Sequence, residues 1–202
     1  MTAGVLRISA LLDTLLACLS AAVPAQAAPT LPPGFQDALV TPVDRATSIA
    51  FAPGGRMLIA RVPGVVRMYR NGALDPVGDP ALDISAQTCS DGERGLMSVA
   101  VDPAFETNHF IYLYYTHSKS GCITGSATTP VNRVSRFVLG DNDKIDKASE
   151  TVLVDNIPAP ESYHIGADLG FGKDGFLYAS TGDGGCDYAG GGCLEHNDTA
   201  RD

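Results

Sequence analysis

One histidine of this chain stands in a setting that chemistry can use. His164 follows Tyr163, precedes Gly166 by two residues, and lies just ahead of the run Asp168-Leu-Gly-Phe-Gly-Lys173, which has strand character. Imidazole accepts a proton near neutral pH without a costly ionisation, which is what a general base for a hydroxyl needs. A base at the start of a strand is also held more firmly than one on a mobile tip. For a lone histidine the favoured reading is one packed in a loop and bonded to backbone; Gly166 and the Asp174-Gly175 turn count against it. Glu93 is the second candidate: its carboxylate could bond a substrate hydroxyl or support the base, or it could simply pair with Arg94 or Arg136. His109, His117 and His196 have no comparable setting and read as surface-loop residues.

Other reactive patterns are weaker. Gly182-Asp183-Gly184-Gly185 lacks the following helix and the lysine of a phosphate-binding loop, and reads as a turn capped by Asp183. Asp141, Asp143 and Asp146 lack the twelve-residue calcium pattern with its terminal Glu, so they read as a solvated loop. No Cys-x-x-Cys or His-x-x-x-His spacing exists to support zinc.

The elements that must position His164 follow an export signal. Residues 1–27 combine Arg7, an apolar stretch from Ile8 to Val23 and the small-x-small site Ala25-Gln26-Ala27, so the mature chain is expected to run from about Ala28 to Asp202 in the periplasm or outside the cell. A lipoprotein reading of Leu15-Leu16-Ala17-Cys18 and a retained anchor are the alternatives. Cleavage removes Cys18 and leaves four cysteines in an oxidising compartment. Cys186 and Cys193 flank a Gly-rich stretch that can bend to bridging distance, which leaves Cys89 for Cys122. The net charge of −9 argues against nucleic acid and anionic membranes, which call for a basic surface.

Downstream of the signal the sequence shows no long helical period, only short β-type runs between turns. Ser48-Ile-Ala-Phe-Ala-Pro53, Ser98-Val-Ala-Val-Asp-Pro103 and Asp168-Leu-Gly-Phe-Gly-Lys173 are versions of one strand-then-turn unit, spaced by 50 and 70 residues. Each leads into a second strand: Met57–Ala60, Ile111–Tyr115 and Phe176–Ser180. A third follows in the first two units, over Val65–Tyr69 and Arg133–Val138. Multi-stranded repeats of this period are the mark of propeller blades, each needing neighbours to bury its faces. The chain is expected to be all-β: two blades and the start of a third, the N-terminal part of a larger ring or, alternatively, a half ring that dimerises.

The segment Glu93-Arg-Gly-Leu-Met-Ser-Val-Ala-Val-Asp-Pro-Ala-Phe105, with Ile111-Tyr-Leu-Tyr-Tyr-Thr116, Asn132-Arg-Val-Ser-Arg-Phe137 and Tyr163–Gly185, resembles the glucose/sorbosone dehydrogenase family in order along the chain, from about Phe35 to Asp202. The resemblance implies a six-bladed β-propeller of which only the first two to three blades are present. It further implies a quinoprotein that oxidises an aldose sugar at its anomeric carbon with hydride transfer to pyrroloquinoline quinone (PQQ), passing electrons to an external acceptor, with no membrane span after signal cleavage. In that picture His164 is the catalytic base, while Glu93 and Tyr163 lie beside the sugar and the quinone. Calcium and most quinone ligands would come from later blades. Glucose-specific members of the family carry Asp before the base where this chain has Tyr163, a departure that bears on which sugar is taken more than on the reaction class. The contrasting readings are a non-catalytic extracellular propeller that binds a protein or carbohydrate partner, and a calcium-dependent lactonase-type hydrolase, for which no central Glu/Asn/Asp cluster is evident.

Overall fold

The run Phe110–His117 is apolar at nearly every position, without the alternation expected of a strand that has one wet face. The computed structural model, which describes residues 30–123, 130–159, 161–182 and 184, shows the reason. This strand lies in a sheet covered on both sides. Side chains alternate across a strand, so Ile111, Leu113 and Tyr115 enter one apolar core while Tyr112 and Tyr114 enter another.

Residues 30–39 belong to a short separate unit with a turn in which the Phe35 N–H donates to the Pro32 carbonyl. Among the described residues, all strands lie in the second unit. The first sheet has antiparallel order β1 (Ala46–Ala52), β2 (Arg56–Arg61), β3 (Val65–Arg70), β4 (Ala73–Leu74), with β5 (Leu82–Asp83) also pairing β3. The second runs β6 (Leu96–Val101), β7 (Phe110–His117), β8 (Val131–Leu139), β9 (Ile145–Pro158), with a one-turn helix α1 (Phe105–Asn108) between β6 and β7. The third is the hairpin β10 (Asp168–Phe171) and β11 (Leu177–Ser180).

The sheets stack in chain order. Between the first and second, Leu58, Val66, Ile84, Leu96, Ile111, Leu113 and Phe137 are fully buried, each worth about 1.5–3 kcal/mol of hydrophobic stabilisation. Between the second and third, Tyr112, Tyr114 and Val134 meet Leu169, Phe171 and Leu177. The expected chain of consecutive blade-like antiparallel sheets is therefore present. Both β1 and β6 carry a register shift at the same place in the repeat, between Ala46 and Ser48 and between Leu96 and Ser98. The outward faces of the first and third sheets expose Ile49 and Phe51, and Tyr178, respectively.

Three features depart from the sequence reading. The long β9 has no counterpart in the expected strands. The connection around His109, expected as a surface loop, contains α1, and His109 caps it in the left-handed region at φ 57°. His117 ends β7, half-buried with Nδ1 3.2 Å from the Gln87 carbonyl, and is not a surface-loop residue; burial, aided by the nearby Arg133 charge, pushes its pKa down.

Candidate functional site

Glu93 and His164 occupy equivalent places, each a few residues ahead of the first strand of its sheet, β6 or β10. The fold brings these two segments edge to edge although they are 71 residues apart in sequence. The Glu93 N–H donates to the Ser162 carbonyl at 2.7 Å, and the His164 N–H donates to Glu93 Oε2 at 2.6 Å. Gly92 lets them approach this closely: a Cβ there would stand 2.3 Å from the Ser162 oxygen.

The other side of the histidine's backbone is also held. The carbonyl of His164 accepts the Gly184 N–H at 3.1 Å, and that of Ile165 accepts the Gly182 N–H at 2.9 Å. The Ile165 side chain is buried and anchors the segment, whereas Tyr163 and His164 are exposed, their rings edge-on with centroids 5.2 Å apart. His164 itself sits at φ 56°, a left-handed conformation that a non-glycine residue adopts only when its surroundings impose it.

The sequence named Glu93, Tyr163 and His164, and the structure gathers all three on one rim. Glu93 bonds the main chain of His164, where the sequence left open a pairing with Arg94 or Arg136. Arg136 instead lies over the Phe110 ring at 4.0 Å and donates to Thr151. Arg94, next in sequence to Glu93, is fully buried, its Nη2 3.0 Å from the Asp91 carboxylate. A charge taken out of water in this way needs such a counter-ion.

A covalent tie anchors the loop that carries Glu93. Cys89 and Cys122 form a disulfide with Cα atoms 5.4 Å apart, and the Cys89 N–H donates to the Thr116 carbonyl at 2.9 Å. That pairing is the expected one; Cys186 and Cys193 lie outside the described residues, as do the export signal, Asp183 and Gly185. The Gly-rich segment that the sequence suggests is a turn has a further use in the described part: Gly182 and Gly184 form the backing of His164. Asp143 is not a solvated loop carboxylate. It joins Arg56 Nε at 2.7 Å and Arg70 Nη1 at 2.9 Å across the first two sheets, and these partners outweigh the upward push of burial and hold its pKa down. Among the described residues no group of three or more His, Cys, Asp or Glu side chains is placed to hold a metal ion. Nor, among them, is any helix long and apolar enough to cross a membrane.

In chemical terms the rim presents an imidazole on a backbone pinned at both its N–H and its C=O, next to an aromatic ring, with a carboxylate committed to the same short segment. That arrangement can accept a proton from a ligand bound above it in a fixed direction.

Comparison with known proteins agrees with this architecture. Residues 43–191 match the family described as glucose/sorbosone dehydrogenase. An uncharacterized protein of Synechocystis is 32% identical over 142 residues, 68% of this chain and 32% of that protein. The solved structure of a putative oxidoreductase (glucose dehydrogenase) from Thermus thermophilus superposes with a TM-score of 0.58 at 32% identity, over 70% of this chain and 38% of that one. The PQQ-bound aldose sugar dehydrogenase of Streptomyces coelicolor shares the fold with a TM-score of 0.58 at 22% identity, over 72% of this chain and 40% of that one. The chain thus spans between about a third and two fifths of the length of these relatives. On the match over residues 43–191, this chain belongs to the glucose/sorbosone dehydrogenase family.

Proposed function

We propose that this chain supplies the first blades of an exported quinoprotein that oxidises an aldose at its anomeric carbon, with His164 as the base. The observation that carries the reading is the pinned, outward-facing His164: its N–H is held by Glu93, its C=O by Gly184, and its ring is exposed on the rim. A side chain built this way is positioned for a ligand, since a base helps only when it stands within hydrogen-bond reach of the proton it takes.

The described residues fit a planar quinone on this rim in two respects. Tyr163 offers an exposed aromatic ring against which a flat ring system packs, and the imidazole beside it is directed by backbone bonds on both sides. When bound, PQQ supplies the acceptor for the two electrons that leave the sugar with the anomeric hydrogen. His164 takes the proton of the anomeric hydroxyl on its ring nitrogen, so that the C–O bond gains double-bond character and the aldose becomes a lactone. Glu93 and Gly184 fix the backbone from which the ring projects, which matters because small misplacements of a catalytic group cost orders of magnitude in rate.

The test uses the full reading frame reconstituted with PQQ and calcium. An absorbance titration with PQQ should saturate, and His164→Ala should lower dye-linked aldose oxidation by about 10²–10⁴-fold while quinone affinity stays within a few-fold. Unchanged turnover would remove the base assignment. Absence of PQQ uptake would remove the quinoprotein reading and leave a propeller that binds a protein or carbohydrate partner.

A further inference from the structure

We infer that Glu93 is a positioning residue that acts through the main-chain N–H of His164. The inference deepens the site reading above and rests on His164 being its working residue.

Segment 164–167 departs from regular structure. His164 and Ala167 have φ of 56° and 99°, so the chain turns through left-handed conformations immediately before β10. A main-chain N–H in such a stretch has no strand or helix partner and must find an acceptor elsewhere. For His164 that acceptor is the Glu93 carboxylate at 2.6 Å, and a bond to an ionised acceptor is shorter and stronger than one to a neutral group. Glu93 grips the segment twice, because its own N–H donates to the Ser162 carbonyl two residues before His164. The grip is itself fixed: four residues upstream Cys89 is tied to Cys122, and the next residue, Arg94, is buried with Asp91 as its counter-ion. The carboxylate is thus the adjustable end of a rigid support, and its bond sets the backbone from which the imidazole projects.

The experiment reads the bond directly, on this chain and without quinone or sugar. The sequence has four histidines, so selective ¹⁵N-histidine labelling gives four backbone amide signals, and His164→Ala identifies the one of interest. In Glu93→Ala the His164 amide should move upfield and exchange with solvent about tenfold or more faster, while the His117 amide, within the β7–β8 ladder, keeps its rate. Glu93→Gln, whose amide oxygen still accepts but without charge, should give an intermediate rate and shift. If Glu93→Ala does not fold, as seen by all four amides collapsing together, Glu93→Gln alone decides by the movement of the His164 signal. An unmoved His164 amide in a folded variant, or a Glu93→Gln indistinguishable from Glu93→Ala, overturns the inference. Neither outcome touches the base assignment, which stands or falls on turnover in His164→Ala.

Discussion

The hydroxyl of Ser98 accepts the main-chain N–H of Leu169 at 3.1 Å, and one repeat earlier the hydroxyl of Ser48 faces the N–H of Val99 at 3.4 Å. The same device therefore joins the first strand of each sheet to the first strand of the next, β1 to β6 and β6 to β10. It occurs beside the register shifts that β1 and β6 share, where the irregular strand presents its serine hydroxyl, the acceptor, to the neighbouring sheet. Ser98→Ala would leave the buried Leu169 N–H to the adjacent Asp168 carboxylate alone, 2.9 Å away. The expected cost is about 1 kcal/mol, read as a lower urea midpoint with an unchanged slope, and Ser48→Ala should cost less because its bond is longer. A Ser98→Ala protein as stable as wild type would show that the inter-sheet contact is carried by the apolar core alone.

The disulfide closes a loop between residues 33 apart in sequence, and that loop contains Glu93 and all of β6 and β7. Cross-linking a loop of this size stabilises the folded state by about 2–4 kcal/mol, chiefly by restricting the unfolded chain. Replacing Cys89 and Cys122 together by Ala, or adding reductant, should lower the unfolding free energy by that amount. Hydrogen exchange should quicken first in residues 85–93, which lie outside the strand ladders. Loss of protection spread evenly over β6 and β7 would mean that the bond steadies the sheet and not the rim.

Asp155 gives a pH dependence whose sign follows from its partners. Burial pushes its pKa up, but Arg133, Lys119 and the Asn156 N–H outweigh burial and hold it at about 2, against an ordinary 3.8. A depressed carboxylate stabilises the fold fully above the ordinary value and loses that stabilisation as pH falls through about 2. The ion pairs to Arg133 Nε at 3.2 Å and Lys119 Nζ at 3.2 Å are partly exposed, so the stabilisation is taken as about 1 kcal/mol. Asp155→Asn should therefore be less stable than wild type by that amount at pH 6, with the gap closing between pH 4 and pH 2 in urea titrations. A gap that persists at pH 2 would place the effect in packing instead of charge.

Much of the fold is legible in the residues. The β1 and β6 repeats can be read because Ser48 and Ser98, with the apolar residues after them, serve the same inter-sheet position. The run 110–117 can be read as a buried strand because both its faces need apolar side chains. β9 is not legible in this way. Its register shifts three times against β8, and Glu150 spends its carboxylate on Tyr115 and Ser135, so neither a period of two nor an apolar face survives in its sequence. At the site, residue type together with the family resemblance points to His164, Tyr163 and Glu93. The bond that unites two of them is invisible beforehand, since every non-proline residue carries the same N–H and only the fold decides which carboxylate it meets. The backing of His164 by Gly182 and Gly184 escapes notice for the same reason.

That backing can be tested by separating crowding from backbone conformation. A Cβ at Gly182 would stand 2.0 Å from the His164 carbonyl oxygen, a main-chain atom that cannot swing aside, whereas a Cβ at Gly175 meets nothing within 4 Å and suffers only from its φ of 84°. Gly175→Ala should thus cost about 1 kcal/mol of stability and leave turnover of the reconstituted protein near wild type. Gly182→Ala must push the 181–184 segment or His164 out of place, so its turnover should fall by roughly 10²-fold, beyond what its loss of stability explains. Thermal melts alongside dye-linked sugar oxidation separate the two effects. Equal turnover in the two alanine variants would mean that the close approach of Gly182 to His164 has no bearing on where the imidazole points.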